Sequence, residues 1–316
     1  MLANLRGLAA QIPNQGVLIN SIVLQEARLS SEIENIVTTN DELYRADADA
    51  DGKTDPHTKE VLRYRQALRY GYEQVRVTGL LTVNHIVGIQ GELERNNAGF
   101  RKLPGTALKD GGGQTVYTPP QDPAEIVALM SGLERFMNDD RLFPVDPLIK
   151  MALIHHQFES IHPFYDGNGR TGRIINVLYL VKEGLLDIPV LYLSRHIVQH
   201  KADYYRLLQT VRDEDRWAEW CLYLLRGVAV TSQSAIHLVK AFRDLMQKTK
   251  NDMRDRLPKL YSQDLLNNLF RYPYTKIEFI ERELGVSRPT ATKYLEQLTS
   301  AGLVRKQKMG RSNFYI

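Results

Sequence analysis

Two apolar helical patterns, PVDPLIKMALIHHQFESI and TGRIINVLYLVKEGLL, meet at a junction that no hydrophobic core requires. The junction is HPFYDGNGRTGR, His162 to Arg173: one imidazole, one carboxylate, two glycines around an asparagine, and two arginines within twelve residues. The flanking segments belong in a core; the junction does not. Helical periodicity dominates the first three quarters of the chain. PNQGVLINSIVLQEARLSSEIENIVTT reads as loop passing into helix, with Ser30 or Ser31 as the cap. TKEVLRYRQALRYGYEQV, TVNHIVGIQGELER and PAEIVALMSGLERFMND are further amphipathic helices, as are two segments carrying Tyr204, Tyr205, Trp217 and Trp220. AGFRKLPGTALKDGGGQTVYTPP breaks the pattern. Its glycines and prolines forbid a helix, and FRKL and QTVYT are spaced to pair as a hairpin around DGGG.

At 316 residues the chain is too long for one average domain. It divides into an N-terminal helical region over 1–80, a helical core over 81–230, a connecting helix over 231–257 and a separate unit over 258–316. In that last unit three short helical patterns, a turn at Leu284–Ser287 and the two-stranded VRKQKMGRSNFYI follow the order of a winged helix-turn-helix. The expected fold class is all-α with a short β-hairpin, plus this small α+β domain. From Arg271 to Ile316 nine Lys/Arg stand against four Asp/Glu. A DNA or protein partner is therefore expected there, through Arg288, Thr290, Thr292 and Lys293 on the recognition helix and Arg305, Lys306, Lys308 and Arg311 on the wing. The net charge of the whole chain, +4, implies nothing stronger. A single cysteine, Cys221, excludes an intrachain disulfide and a cysteine metal cluster, and fits a reducing, cytoplasmic setting. No signal-peptide pattern opens the chain and no apolar run is long enough to span a bilayer, so no membrane role is expected. Oligomeric state is open, a homodimer included.

The chemistry of the junction starts from its glycines. Gly167-Asn168-Gly169 at a helix start leaves backbone N–H groups unpaired with no side chains in the way, an anion site by geometry and by macrodipole. Arg170 and Arg173 fall three apart, on one helical face, and two guanidiniums beside such a nest suit a polyphosphate better than a carboxylate. Asp166 would repel phosphate unless a divalent cation stood between them, which argues for Mg²⁺. His162, with an unperturbed pKa of about 6.5, is available as a general base toward a hydroxyl. Together they suggest transfer of a phosphorus-centred group to a hydroxyl.

The twelve residues match every fixed position of HxFx(D/E)GNGRxxR, and the chain from about Ser30 to Arg226 resembles the Fic domain family. The resemblance implies an all-helical fold and AMPylation, in which ATP and a target protein give AMP-protein and diphosphate. It implies that His162 deprotonates a Ser, Thr or Tyr of the target or of the chain itself, and that Asp166 holds Mg²⁺. Gly167, Asn168 and Gly169 would hold the α- and β-phosphates, Arg170 the β-phosphate and Arg173 the γ-phosphate, with Thr171 and Gly172 in the same binding segment. Glycine at position 169, where kinase-type relatives carry lysine, implies an AMP transferase. The glycine-rich hairpin occupies the place of the family's flap, an edge that binds a target segment by strand addition, and Tyr205 the place of an adenine-contacting tyrosine.

SSEIEN resembles the family's inhibitory motif (S/T)xxxE(G/N), with Ser30, Glu34 and Asn35 at the fixed positions. The resemblance implies that Glu34 pairs with Arg173 and deprives the γ-phosphate of its clamp. The same glutamate can orient water against an AMPylated target, so removal of AMP is a second activity the motif allows. Other features point to packing. DADADGKTD has calcium-loop spacing at Asp47, Asp49, Asp51 and Gly52 but Thr58 in the twelfth position, and reads as a solvated acidic loop. His155 and His156 lack carboxylates at ligand spacing, and Trp217 and Trp220 read as core.

Overall fold

Three helices open on the same dipeptide: Asp55-Pro56, Asp122-Pro123 and Asp146-Pro147. Each aspartate accepts a backbone N–H of the first turn, and each proline fills a position whose own N–H would lack a partner. The computed structural model describes residues 1–12, 15–48, 54–141, 144–309 and 312–316. Within them run α1 (Leu2–Ala10), α2 (Gln15–Ile33), α3 (Asn40–Ala48), α4 (Pro56–Thr78) and α5 (Val83–Glu94), then a hairpin of β1 (Leu108–Lys109) and β2 (Thr115–Tyr117). Next come α6 (Pro123–Asn138), α7 (Pro147–Ile161), α8 (Asn168–Lys182), α9 (Ser194–Gln199), α10 (Lys201–Glu214) and α11 (Trp217–Arg256), a single helix of 40 residues. The chain closes with α12 (Gln263–Arg271), α13 (Ile277–Leu284), α14 (Arg288–Ser300), β3 (Lys306–Met309) and β4 (Ser312–Tyr315). The fold is mostly helical with two small antiparallel hairpins, the second near the C-terminus.

The centre is α8, with twelve of its fifteen residues buried. A helix apolar on nearly every side must be surrounded, and α4, α5 and α7 pack against it. On the far side of α7, Trp220 of α11 is fully buried and donates its indole N–H to the Ala152 carbonyl at 2.8 Å. α11 gives residues from Trp220 to Val239 to this core, then Met246 and Met253 to a second core with Leu265, Ile280, Leu295 and Tyr315. In the second unit β3 and β4 pair with Lys306 opposite Tyr315, and Thr275 bridges to Tyr315 on the other side. The unit docks onto the N-terminal region through Tyr274, which stacks on Tyr44 of α3 with centroids 6.5 Å apart and donates its hydroxyl to Asp41.

Two local expectations are corrected. The first flap strand is Leu108–Lys109, paired with Tyr117 and Thr115, rather than FRKL. Arg101 turns inward, and Pro104 directly after Leu103 cannot donate to a ladder. DGGG does form the turn, with the Asp110 carboxylate accepting from Gly112 and Gln114 N–H. The second correction concerns α2, which begins at Gln15, so Ser30 and Ser31 lie near its end and cap nothing. Buried Val17, Leu18, Ile22, Val23, Leu24 and Ala27 supply the apolar stripe that starts the helix earlier. Most of the calcium-like loop, Asp49 to Lys53, and Arg311 of the wing lie outside the described residues. No described helix is long and apolar enough to cross a membrane.

Trp220→Ala is expected to cost about 3–5 kcal/mol in urea unfolding, the range for deleting a fully buried large aromatic. A loss below about 1 kcal/mol would mean that α7 and α11 do not depend on this contact.

Candidate active site

The last residue of α7 is Ile161, and His162 caps it in the left-handed region, φ +48°, with its N–H on the Phe158 carbonyl at 3.0 Å. That conformation turns the chain sharply and puts the imidazole at the mouth of the loop. The loop is braced by Asn168, whose side-chain oxygen accepts from Phe164 N–H at 2.9 Å and whose amide donates to the Phe164 carbonyl at 2.8 Å. What Asn168 has left for an anion is backbone. Gly167, at φ +77°, hands the chain into α8 as a side-chain residue could not without strain. A Cβ on Gly169 would lie 2.5 Å from Glu34 Oε1 and 2.9 Å from Arg173 Nη1, so this glycine is what lets the two charged groups close over the helix start.

Both arginines of the junction are buried and both are occupied. Arg170, 4% exposed, is gripped by Glu60 of α4 and by Glu94 of α5 at 2.9 Å, with Asp166 at 3.9 Å. Arg173, 3% exposed, donates Nε to Ser30 Oγ at 2.7 Å and Nη2 to the Ser30 carbonyl at 2.9 Å and to Glu34 Oε1 at 2.8 Å. The end of α2 is built for this. Asn35 takes the left-handed conformation, φ +63°, that asparagine tolerates, and Lys201 of α10 donates to the Ile33 carbonyl at 2.7 Å. Two turns back on the same face, Glu26 accepts from Ser194 N–H at 3.2 Å, Ser194 Oγ at 2.5 Å and Tyr64 at 3.3 Å, which fixes α2 against α9 and α4.

Burial and charge set the titration of these groups. Burial would raise the Glu34 carboxyl, but the Arg173 guanidinium and its hydrogen bond outweigh that and hold it below the usual carboxylate range. Burial, then the charge of Arg101, pushes His162 down to about 4, so its imidazole is neutral at pH 7. Glu159 of α7 is buried, and its carboxyl is raised to about 7 by burial against the opposing pull of Arg173. Glu26 is likewise raised to about 7 by burial. Arg173 thus has a single carboxylate in contact, Glu34, while burial lifts the Glu159 and Glu26 carboxyls that stand near it.

His162, Glu34 and Gly169 stand in the walls of two adjoining cavities of about 590 and 380 Å³. The smaller also takes in Asp166, Gly167, Asn168 and Arg170. The larger runs between the flap and α10, past Arg173, Tyr205 and Arg212. Of the tyrosine pair, Tyr204 is core, with its hydroxyl 2.9 Å from His155 Nε2, and Tyr205 is 48% exposed on the cavity wall. Thr171 and Gly172 line neither cavity, because the helical period turns them toward the core. A Cβ on Gly172 would meet Glu159 Oε1 at 2.6 Å, so this glycine serves the contact of α7 with α8. A further groove of about 840 Å³ on α6, α7 and α11 is lined by no charged residue. Glu60, Glu94, Glu26 and Glu159 were not picked out by sequence; nothing in spacing marks Glu60 and Glu94 as partners of Arg170, 110 and 76 residues away. On the second unit Lys293 is exposed, whereas Arg288 is paired with Glu278 at 2.9 Å and Glu281 at 3.3 Å.

Three family models match consecutive parts of the chain: "Fic/DOC family N-terminal" over residues 1–73, "Fic/DOC family" over 80–180, and "Protein adenylyltransferase SoFic-like, C-terminal domain" over 245–316. Among curated relatives, the protein adenylyltransferase Fic of Culex quinquefasciatus is 29% identical over 171 residues, 52% of this chain and 31% of that protein. The Drosophila erecta protein of the same name is 31% identical over 96 residues, 30% of this chain and 18% of that protein. The match thus spans about a third or less of those relatives. A crystal structure of a Fic family protein from Desulfovibrio desulfuricans aligns over 99% of this chain and 93% of that one, with a TM-score of 0.58 and 20% identity. A Fic-1 fragment from C. elegans aligns over 77% of this chain and 71% of that one, with a TM-score of 0.58 and 19% identity. These two similarities bear on the fold.

A carboxyl that keeps its proton to about pH 7 when folded, but loses it near 4.5 when unfolded, stabilises the fold fully below pH 4.5. That contribution drains away as pH rises through 7. Glu159→Gln stays neutral throughout, so at pH 8 it is expected to unfold later than the parent, by up to about 3 kcal/mol, and at pH 4.5 to match it. Denaturant melts at the two pH values read the difference; a variant less stable at pH 8 would mean that the ionised carboxylate is a needed partner of Arg173.

Proposed function

Because the chain belongs to the Fic/DOC family, we propose that it is a protein adenylyltransferase whose resting form is held in check by Glu34. The observation that carries this reading is the state of Arg173: it stands beside the helix-start nest with its guanidinium occupied by Glu34 and Ser30. The reaction moves AMP from ATP to a Ser, Thr or Tyr hydroxyl. The triphosphate lies along the first N–H groups of α8, where the backbone is bare and the helix end is positive. Arg170, already aimed by Glu60 and Glu94, meets the β-phosphate, and Arg173 meets the γ-phosphate once Glu34 has left.

His162 is neutral at pH 7, so it can take the proton of the incoming hydroxyl as that oxygen bonds to the α-phosphorus. The bond from the α-phosphorus to the bridging oxygen breaks, and pyrophosphate leaves between the two arginines. Asp166 is exposed beside the nest and is the residue that would hold an Mg²⁺ ion there, which would supply positive charge to the phosphates. Among the described residues no cluster of three or more His, Cys, Asp or Glu is placed to hold a metal ion, and Asp166 would contribute a single carboxylate. Tyr205 offers a wall for the base. The target segment lies along the β1–β2 flap, whose short strands leave backbone edges unpaired. With Glu34 docked, a γ-phosphate meets a like charge in place of a guanidinium, and the α-phosphorus is displaced from in-line attack.

Full-length protein with α-³²P-ATP and Mg²⁺ tests the scheme. Glu34→Gly is expected to raise self-labelling by about 10-fold or more, equivalent to ~1.4 kcal/mol. Adding His162→Ala is expected to lower it by about 10²–10⁴-fold. Equal labelling by the parent and both variants would sink the mechanism.

A further inference from the structure

Arg101 is 1% exposed, yet every hydrogen bond its side chain makes among the described residues goes to a backbone carbonyl. A buried guanidinium without a carboxylate partner is costly and has to be answered by strong acceptors. Its Nε donates to the His162 carbonyl at 2.9 Å, and its Nη2 to the Pro120 carbonyl and, at 3.4 Å, to the Ile161 carbonyl. Ile161 and His162 end α7, so two of these acceptors sit where a helix leaves its carbonyls unpaired and its dipole negative. The third belongs to Pro120, in the segment that runs from β2 of the flap to α6. Arg101 N–H itself donates to the Pro163 carbonyl at 2.9 Å. One residue therefore joins the outgoing arm of the flap, the returning arm and the loop that carries His162.

The neighbours repeat the connection. Lys102 and Leu103 N–H both donate to the Tyr165 hydroxyl, at 2.8 and 3.2 Å, and Tyr165 belongs to the junction motif. Tyr117 of β2 donates to the Ser160 carbonyl at 3.1 Å, and the Arg212 guanidinium lies 3.9 Å from the Tyr117 ring centre while its Nε reaches Ser160 Oγ at 3.2 Å. Both arms of the flap are thus tied within two residues of His162 on either side, or three in the case of Tyr165.

We infer that Arg101 is a positioning residue for group transfer: by clamping both flap arms to the end of α7 it sets the height of the flap over His162, and with it the reach from a flap-bound hydroxyl to the imidazole. The inference rests on the transferase reading. Its charge has a second effect. The charges acting on His162 are Arg101 from the flap arm, Arg212 from α10 and Glu34 after α2, and Glu159, Arg173, Arg170, Asp166 and Glu60 stand in the walls of the same cavities. After burial, the positive charge of Arg101 is the largest influence keeping the imidazole neutral. Lysine at this position keeps the charge but cannot fork between three carbonyls; glutamine loses the charge.

The test uses full-length Glu34→Gly protein, alone and with Arg101→Lys or Arg101→Gln, each checked for an intact melting transition. Amide exchange over residues 104–118 is expected to speed up in both variants, and label transfer from α-³²P-ATP to fall about 10-fold or more, with ATP affinity unchanged. In nucleotide-free protein, imidazole NMR is expected to show the His162 midpoint rising by about one pH unit in Arg101→Gln and holding in Arg101→Lys. Unchanged flap exchange, or an unchanged His162 midpoint in Arg101→Gln, overturns the inference. If Glu34→Gly transfers no AMP at all, the transferase reading fails instead, while exchange and titration still decide the placement of Arg101.

Discussion

A guanidinium removed from water must be neutralised where it stands, and Arg173 is such a group at 3% exposure. Most of the N-terminal architecture follows from that constraint. The carboxylate in contact comes from Glu34, the residue directly after α2, so α2 must reach α8 with its end aimed inward. Glu26 fixes its register through Ser194 and Tyr64, and Ser30, one turn further on, supplies two more acceptors to the same arginine. Glu159, close enough to compete, holds its proton to about pH 7. The outcome is one formal negative charge against one positive, in a place where a second ionised carboxylate would be destabilising.

That arrangement was partly legible in the sequence. Arg170 and Arg173 fall three apart and are neighbours once the segment is helical, and Ser30 and Glu34 are close enough in sequence to meet one arginine together. The direction of the helix did not follow, because serine and glutamate near a helix boundary suit a start as well as an end. Only the buried stripe from Val17 to Ala27 decides between them. FRKL was misread for a related reason. A short segment with apolar ends on one side of a glycine-rich turn fits a hairpin strand, but Arg101 finds its partners at Pro120, Ile161 and His162, 19 to 61 residues away. The carboxylates on Arg170 were invisible on the same ground: Glu60 and Glu94 look like ordinary surface positions of amphipathic helices until α4 and α5 are packed against α8.

The junction motif itself divides into parts that face the cavities and parts that hold the fold. His162, Asp166, Gly167, Asn168, Gly169, Arg170 and Arg173 line the cavities, Asn168 with its side chain otherwise engaged. Asn168 is turned back onto Phe164, and Thr171 and Gly172 are packed into the helix pair. A linear pattern cannot distinguish the two groups, since a residue needed for close helix packing recurs in a motif as faithfully as one that touches substrate.

One element belongs to both cores. α11 runs 40 residues without a break and carries Trp220 at one end and Met253 near the other. At 1.5 Å per residue it is a strut of about 60 Å, anchored at its first half in the catalytic fold and at its second in the C-terminal unit. Two bodies joined by a flexible tether sample a sphere of positions; two bodies joined by a strut have a fixed offset. The C-terminal unit is therefore held at one distance and one bearing from His162, and anything bound to it would share that offset.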